Sequence, residues 1–118
     1  MQSRESELQS ACVRWFRYAH QKYSKLLFAV PNGHKRNVVT AVKLKNEGVV
    51  AGVADLILLV PNRYYSTLCI EMKADIRCKQ TLQQREFQDA AEEAGNRYVV
   101  CHDFDEFKYE INQYLKGA

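Results

Sequence analysis

The fold depends on two short apolar runs, Gly48-Val49-Val50-Ala51-Gly52-Val53-Ala54-Asp55-Leu56-Ile57-Leu58-Leu59-Val60 and Leu68-Cys69-Ile70-Glu71-Met72-Lys73. Both are rich in Val, Ile and Leu, and a turn-forming Pro61-Asn62-Arg63 follows the first, so we predict two β-strands joined by a short connection. Three charges lie in this apolar pair: Asp55 at the entrance to the first strand, and Glu71 and Lys73 near the end of the second. Because side chains alternate along a strand, Glu71 and Lys73 share a face.

Charged side chains on an apolar strand need a physical reason, because removing an unpaired charge from water is costly. A structural ion pair between Glu71 and Lys73, or a strand face open to water, explains an isolated Glu-x-Lys pattern. Asp55 on the neighbouring strand favours another explanation. Two carboxylates that converge from adjacent strands form a hard-oxygen site for Mg²⁺ or Mn²⁺, and a lysine beside them can orient water or neutralise a phosphate.

The order of these residues resembles a known nuclease signature. Gly52-Val53-Ala54-Asp55, a variable hairpin and then Glu71-Met72-Lys73 resemble the PD-(D/E)xK motif. Four further features extend the resemblance: Glu7 in an opening helix, Pro31-Asn32-Gly33, Lys45-Asn46-Glu47-Gly48, and Gln84. Together they resemble the VRR-NUC (virus-type replication-repair nuclease) domain over residues 5–115. That family usually has a proline before its aspartate, where this chain has Ala54; a proline would restrain the backbone without adding a ligand.

The resemblance implies a metal site with Mg²⁺ or Mn²⁺ as cofactor. In it, Asp55 and Glu71 hold one or two ions, the backbone carbonyl of Met72 contributes a further oxygen, and Glu7 acts through water. The residues alone have a simpler explanation, in which the negative charge of Glu7 interacts favourably with the dipole at the N-terminus of its helix.

The same resemblance implies roles for a lysine and a glutamine. Lys73 positions the nucleophile or stabilises negative charge on the phosphate, and Gln84 steadies Lys73 or contacts the scissile phosphate. A glutamine on a helix is usually a surface residue, and three others lie nearby: Gln80, Gln83 and Gln88.

The charge distribution favours a nucleic-acid partner. Residues 1–50 carry nine Lys and Arg against three acids, whereas residues 51–118 carry eight against eleven. A basic half can attract a phosphate backbone and an acidic half can hold metal, although ordinary surface charge gives the same totals. The candidate phosphate contacts are Lys35, Arg36, Arg77 and Lys79.

Bulk properties indicate one globular domain over residues 1–118, with no apolar run long enough to span a membrane. The chain does not start with the basic then apolar layout of a secretory signal, so we expect an intracellular protein. The four cysteines have no metal-ligand spacing, and we expect mostly buried free thiols; they are Cys12, Cys69, Cys78 and Cys101.

The pattern of the whole chain predicts the order helix, strand, helix, strand, strand, helix, strand, helix. This order gives an α/β domain with a small mixed sheet flanked by helices, similar to the restriction-endonuclease-like fold. In the first helix, predicted over residues 3–23, the apolar stripe comprises Leu8, Cys12, Trp15, Ala19 and Tyr23. In the second, predicted over residues 38–47, the inward residues are Val38, Ala41, Val42 and Leu44.

These features predict a metal-dependent endonuclease that hydrolyses DNA phosphodiester bonds. By resemblance to small stand-alone members of the family, we expect branched DNA such as a four-way junction as the substrate, and a homodimer with paired sites. Three alternatives stay open: a flap or nicking nuclease of the same fold, a non-catalytic nucleic-acid-binding module, and an interaction protein with no nucleic-acid role.

Overall fold

The structure is a computed structural model that describes residues 3–31 and 38–118. Within these ranges it has four α-helices: α1 (Arg4–Ala19), α2 (Val38–Asn46), α3 (Leu82–Glu93) and α4 (Phe104–Lys116). The four strands are β1 (Leu27–Ala29), β2 (Leu56–Leu58), β3 (Leu68–Met72) and β4 (Arg97–Cys101). A short 3₁₀ turn (Gln21–Tyr23) follows α1. The order of the helices and strands is the predicted one.

The strands form one mixed sheet in the order β1-β2-β3-β4. β1 and β2 are antiparallel, β2 and β3 are antiparallel, and β3 and β4 are parallel. A parallel pair needs a crossover connection, and α3 provides it between β3 and β4. The predicted α/β fold, with a small mixed sheet flanked by helices, is confirmed.

Helices cover both faces of the sheet. On one face, α1 and α4 bury Cys12, Phe16, Phe107 and Ile111 against the sheet residues Leu56, Leu58, Leu68, Ile70 and Met72. On the other face, α3 packs through Ala91 and Phe87 against Cys69 and Tyr98. Glu71 is two residues after Cys69 on β3, and such residues point to the same face of a sheet. The carboxylate of Glu71 therefore lies on the face that α3 covers.

The structure corrects the stripe predicted for the first helix. α1 ends at Ala19, which is exposed, and the fully buried Phe16 was not predicted to face inward. The buried line follows four-residue steps from Leu8 through Cys12 to Phe16, because these positions lie closest to one another on a helix face. Trp15 packs beside this line and is half-buried.

The second helix also differs from its prediction. None of its residues is buried, and Val38 and Val42 are 79% and 52% exposed. Ala41 is exposed as well, and Leu44 is half-buried. The predicted inward residues are not buried because α2 does not pack on the sheet. The other helices cover the two faces of the sheet.

Three of the four cysteines, Cys12, Cys69 and Cys101, are buried free thiols, as predicted, and Cys78 is an exposed one. Burial raises the pKa of the Cys12 thiol to about 11 and that of Cys101 to about 12. Both therefore act as small apolar side chains at neutral pH. In the described ranges, the helices are too short or too polar for a transmembrane segment.

Candidate active site

Asp55 lies directly before β2, at the end of the sheet. Its Oδ2 accepts a 2.7 Å hydrogen bond from the backbone N–H of Met72. The N–H of Lys73 donates to Cys101 in β4, so the preceding N–H of Met72 faces β2, where the Asp55 side chain accepts it. The backbone carbonyl of Asp55 accepts from Val30 at 2.9 Å. Asp55 is therefore held by Met72 through its side chain and by Val30 through its backbone.

Glu71 is a buried charge in the middle of this site, only 1% exposed. Its Oε1 accepts a 2.6 Å hydrogen bond from the Tyr98 hydroxyl and a 2.8 Å bond from Gln80 Nε2. Its Oε2 is buried and has no hydrogen-bond partner within the described residues. Lys73 Nζ lies 3.7 Å from Oε2. The two oxygens of one carboxylate therefore have very different surroundings.

Asp55 and Glu71 are cross-strand neighbours. β2 and β3 pair Leu56 with Ile70, and continuing this antiparallel register by one residue places Asp55 opposite Glu71. Residues that lie opposite each other share a face of the sheet. Burial raises the pKa of the Asp55 carboxyl, and the charge of Glu71 raises it further, while the Met72 N–H and Lys73 oppose the rise. The extended register places the two acids on the same face of the sheet, and their convergence on one ion stays a prediction.

Lys73 lies one residue beyond β3, and its ammonium reaches the buried end of the site. The side chain is 12% exposed and forms a 3.7 Å ion pair with Glu71 Oε2. Its backbone N–H donates to the carbonyl of Cys101, which keeps this part of the chain against β4. The ammonium is therefore held beside the carboxylate oxygen that lacks a hydrogen bond.

The acid that α1 brings to the site is Glu5, two residues before the predicted Glu7. Glu7 is exposed, whereas Glu5 is half-buried. Burial raises the pKa of the Glu5 carboxyl, and the charges of Asp55 and Glu71 add to the rise, so Glu5 lies within electrostatic range of both. Residues two apart point to nearly opposite sides of a helix, so Glu5 and Glu7 cannot both point toward Asp55.

The predicted site glutamine, Gln84, belongs to a capping box at the start of α3. Its Oε1 accepts from the Thr81 N–H at 2.8 Å, and its own N–H donates to the Thr81 hydroxyl at 3.1 Å. The glutamine that contacts a site carboxylate is Gln80, one residue before the cap. The capping box uses the amide oxygen of Gln84 locally, and the contact of this residue with Lys73 or with the scissile phosphate stays a prediction.

Gly52 joins the loop before Asp55 to the first turn of α3. Its φ is +86°, and a Cβ atom added there would lie 2.4 Å from the backbone carbon of Gln83. Only a residue without a side chain permits so close an approach between two backbones. This close backbone approach sets α3 against the chain that leads to Asp55.

The four candidate phosphate contacts have different surroundings. Arg77 is 87% exposed, but its guanidinium binds the Asp75 carboxylate through both Nε and Nη2. This pairing lowers the pKa of Asp75 and partly neutralises Arg77. Lys79 is exposed in the loop before α3. Lys35 and Arg36 lie outside the described residues.

The site offers oxygen donors of the kind that divalent cations prefer. Across residues 3–31 and 38–118, no group of three His, Cys, Asp or Glu side chains is arranged to hold a metal ion. The donor set consists instead of two facing carboxylates, one with a buried oxygen that lacks a hydrogen bond. A buried anionic oxygen without a donor is unfavourable, and a bound cation would satisfy it. The residues present therefore fit a divalent ion.

Comparison with known proteins identifies the family. The sequence-family model of the VRR-NUC domain matches residues 1–104 of the chain. The chain belongs to the VRR-NUC family. A solved structure described as a VRR_NUC domain protein is 27% identical and superposes with a TM-score of 0.86, covering 100% of this chain and 93% of that one. The curated proteins contain no match. This VRR-NUC domain therefore has a nuclease-type fold and function.

Three further residues lie beside Asp55 or Glu71 in the structure and were not singled out from the sequence: Glu5, Gln80 and Tyr98. A signal existed for Glu5, because it continues the buried stripe of Leu8 and Cys12 at helical spacing. For Tyr98 the signal was weaker, since a tyrosine in an apolar strand usually finds a buried acceptor. No pattern marked Gln80, which lies in a loop.

Proposed function

We propose that this VRR-NUC domain is a divalent-metal-dependent nuclease that hydrolyses DNA phosphodiester bonds. The observation that carries the proposal is the buried Oε2 of Glu71, which lies 3.7 Å from Lys73 Nζ and accepts no hydrogen bond from any residue that the structure describes. A purely structural carboxylate would have both oxygens satisfied. An oxygen left in this state beside a second carboxylate is suited to hold a cation.

The ligands of the proposed ion are Asp55, Glu71 through Oε2, and the backbone carbonyl of Met72. Glu5 takes the water-mediated role that was predicted for Glu7, because it is the acid of α1 that lies within range of Asp55. When bound, Mg²⁺ or Mn²⁺ supplies Lewis-acid polarisation of a phosphoryl oxygen and activation of water. The half-buried position of Asp55 limits competition from bulk solvent for these oxygens.

Lys73 carries the charge that the reaction needs beside the acids. Phosphodiester hydrolysis builds negative charge on phosphate oxygens, and a nearby ammonium stabilises that charge. Its ammonium lies 3.7 Å from Glu71 Oε2, and its partial burial strengthens the electrostatic field that it exerts on nearby groups. Lys73 therefore positions the attacking water or neutralises the phosphate, while the two acids bind the ion.

The proposed activity extends to a substrate, branched DNA, and to an assembly, the homodimer. A small domain gains contact area for DNA by pairing with a second copy, and two symmetric sites suit a four-way junction. We propose branched DNA as the preferred substrate and a homodimer as the active form. A protein that remains a monomer in sedimentation experiments while cutting junctions would contradict the paired arrangement.

A cleavage assay tests the proposal directly. The purified chain is incubated with a labelled four-way junction, and in parallel with flap and linear duplexes, with Mg²⁺, with Mn²⁺ or with a chelator. We expect cutting that needs the ion, 5′-phosphate and 3′-hydroxyl products, and a preference for the junction. Lys73→Ala should lose cutting and keep DNA binding.

The competing function is a non-catalytic nucleic-acid-binding module. It predicts DNA binding that weakens with salt, no cleavage with any divalent ion, and no effect of Asp55→Ala other than on folding. The same assay separates the two functions. Cutting of flaps in preference to junctions would instead support the flap nuclease of the same fold.

A further inference from the structure

The two oxygens of Glu71 are used differently, and two side chains outside the motif create the difference. We propose that Tyr98 and Gln80 are positioning residues that hold Oε1, so that Glu71 binds its ion through Oε2 alone. This inference rests on the proposed function and deepens it, because it assigns the way in which the site selects and binds the cation.

Tyr98 reaches Glu71 along the same face of the sheet. β3 and β4 pair Cys69 with Tyr98 in parallel register, so the ring begins two residues behind Glu71 and extends toward its carboxylate. The hydroxyl has a single hydrogen and donates it to Oε1 at 2.6 Å. A bond this short to a carboxylate is a strong, charge-assisted one. The ring is 3% exposed and cannot easily move away.

Gln80 supplies the second donor to the same oxygen. Its Nε2 lies 2.8 Å from Glu71 Oε1 and 2.8 Å from Gln88 Oε1, so each amide hydrogen has an acceptor. Gln88 is on α3, one of the helices that cover the sheet, and it thereby fixes the orientation of the Gln80 amide. The second acceptor makes rotation of Gln80 away from Glu71 unfavourable.

Two donors on Oε1 leave Oε2 as the oxygen available to an ion. Mg²⁺ and Mn²⁺ accept a carboxylate through one oxygen, whereas Ca²⁺, which is larger, often takes both. Loss of either donor would let the carboxylate rotate and offer both oxygens, or pair more closely with Lys73. The two side chains therefore raise affinity for the smaller ions and disfavour Ca²⁺.

The test compares metal binding among three isosteric variants without DNA present. Tyr98→Phe and Gln80→Met each remove one donor, and Gln83→Met is a matched control on the exposed side of α3. Mn²⁺ affinity is measured by electron paramagnetic resonance and Ca²⁺ affinity by calorimetry, with the thermal midpoint recorded for each protein. Gln80 lies in a loop, so its variant is informative even if Tyr98→Phe does not fold.

We expect Tyr98→Phe and Gln80→Met to weaken Mn²⁺ binding by about 10-fold or more, the usual effect of removing a partner of a metal ligand. Ca²⁺ binding should change less, and cutting should recover at saturating Mn²⁺. Gln83→Met should match the unmodified chain. Unchanged Mn²⁺ affinity in Gln80→Met, or equal losses for both ions, would overturn the positioning role alone. Failure of the unmodified chain to bind Mn²⁺ would overturn the proposed function itself.

Discussion

The backbone N–H of Met72 donates to Asp55 Oδ2 at 2.7 Å, so a side chain closes the ladder between β2 and β3. This bond orients the carboxylate before any ion arrives. It also explains why an aspartate lies at this position: its short side chain can accept a backbone N–H from the neighbouring strand while staying beside Glu71. Burial of the ionised Asp55 carboxylate is still unfavourable, and for that reason the pKa of this group is raised.

Asp55→Asn should stabilise the metal-free protein at neutral pH. The folded-state pKa of Asp55 is raised above the ordinary value of 3.8, so its ionised form opposes folding. That penalty is fully present above the folded-state pKa and vanishes below about pH 3.8. The thermal midpoint of Asp55→Asn should therefore exceed that of the unmodified chain at pH 7, and the difference should disappear in acid.

Asp75→Asn is the matched control for this experiment. The Asp75 carboxylate pairs with Arg77, which lowers its pKa, and so its ionised form favours folding. Removing that charge should not raise the thermal midpoint at pH 7. A rise of the same size in both variants would show that Asp55→Asn acts through net charge and not through its buried site.

Glu71→Gln should abolish metal-dependent stabilisation while leaving the fold intact. The amide oxygen can still accept from Tyr98 in β4 and from Gln80 in the loop before α3, so both hydrogen bonds survive. The negative charge that binds the ion is lost. We expect cleavage to fall at least about 100-fold, more than for a residue that only supports a ligand. Thermal midpoints with and without Mg²⁺ would coincide, and a persistent Mg²⁺ shift would contradict the ligand role.

Gly52→Ala should destabilise the fold strongly. The new Cβ would lie 2.4 Å from the backbone of Gln83, so α3 or the loop before Asp55 must shift. Overpacking of this kind costs about 1–3 kcal/mol in addition to the strain of a positive φ. Denaturant titration measures the free energy of unfolding.

Gly48→Ala and Gly95→Ala are controls for the backbone conformation alone. Both glycines have positive φ, of +106° and +96°, and an added Cβ would meet nothing within 4 Å. These variants should lose only about 1–2 kcal/mol, from the left-handed conformation. Equal losses at all three glycines would show that contact with α3 does not matter.

The apolar strand pair and the order of helices and strands were predictable because they depend on short-range patterns. Asp55, Glu71 and Lys73 stood out because a charge on a buried strand is rare. The acid of α1 that lies near Asp55 is Glu5, two residues before the predicted Glu7. The rotation of a helix about its axis is set by packing, and here Phe16 enters the core in place of Ala19.

The partners of Glu71 and the exposure of α2 could not be predicted, since both depend on tertiary contacts. Gln80 reaches its acceptor from a loop whose path no local pattern specifies. The stripe of Val38 and Val42 has helical spacing, but whether a helix lies on the sheet depends on what already covers it. Local periodicity predicts a helix and leaves its neighbours undetermined.

Gln84 offers a test that separates a cap from a catalytic contact. In the structure its amide oxygen accepts from Thr81, and the family resemblance instead predicts contact with Lys73 or phosphate. A capping box accepts glutamate as well as glutamine at this position. Gln84→Glu should therefore keep the free energy of unfolding, whereas Gln84→Ala should lower it by about 0.5–1.5 kcal/mol, the usual net contribution of one hydrogen bond.

Cleavage rates of the same two variants identify the function of the residue. If Gln84 only caps α3, Gln84→Glu should cut DNA at nearly the rate of the unmodified chain, and Thr81→Ala should resemble Gln84→Ala in both stability and rate. If the amide contacts phosphate, the added negative charge of Gln84→Glu would repel it, and cutting would fall while stability is kept. The second pattern would restore Gln84 to the predicted place beside Lys73.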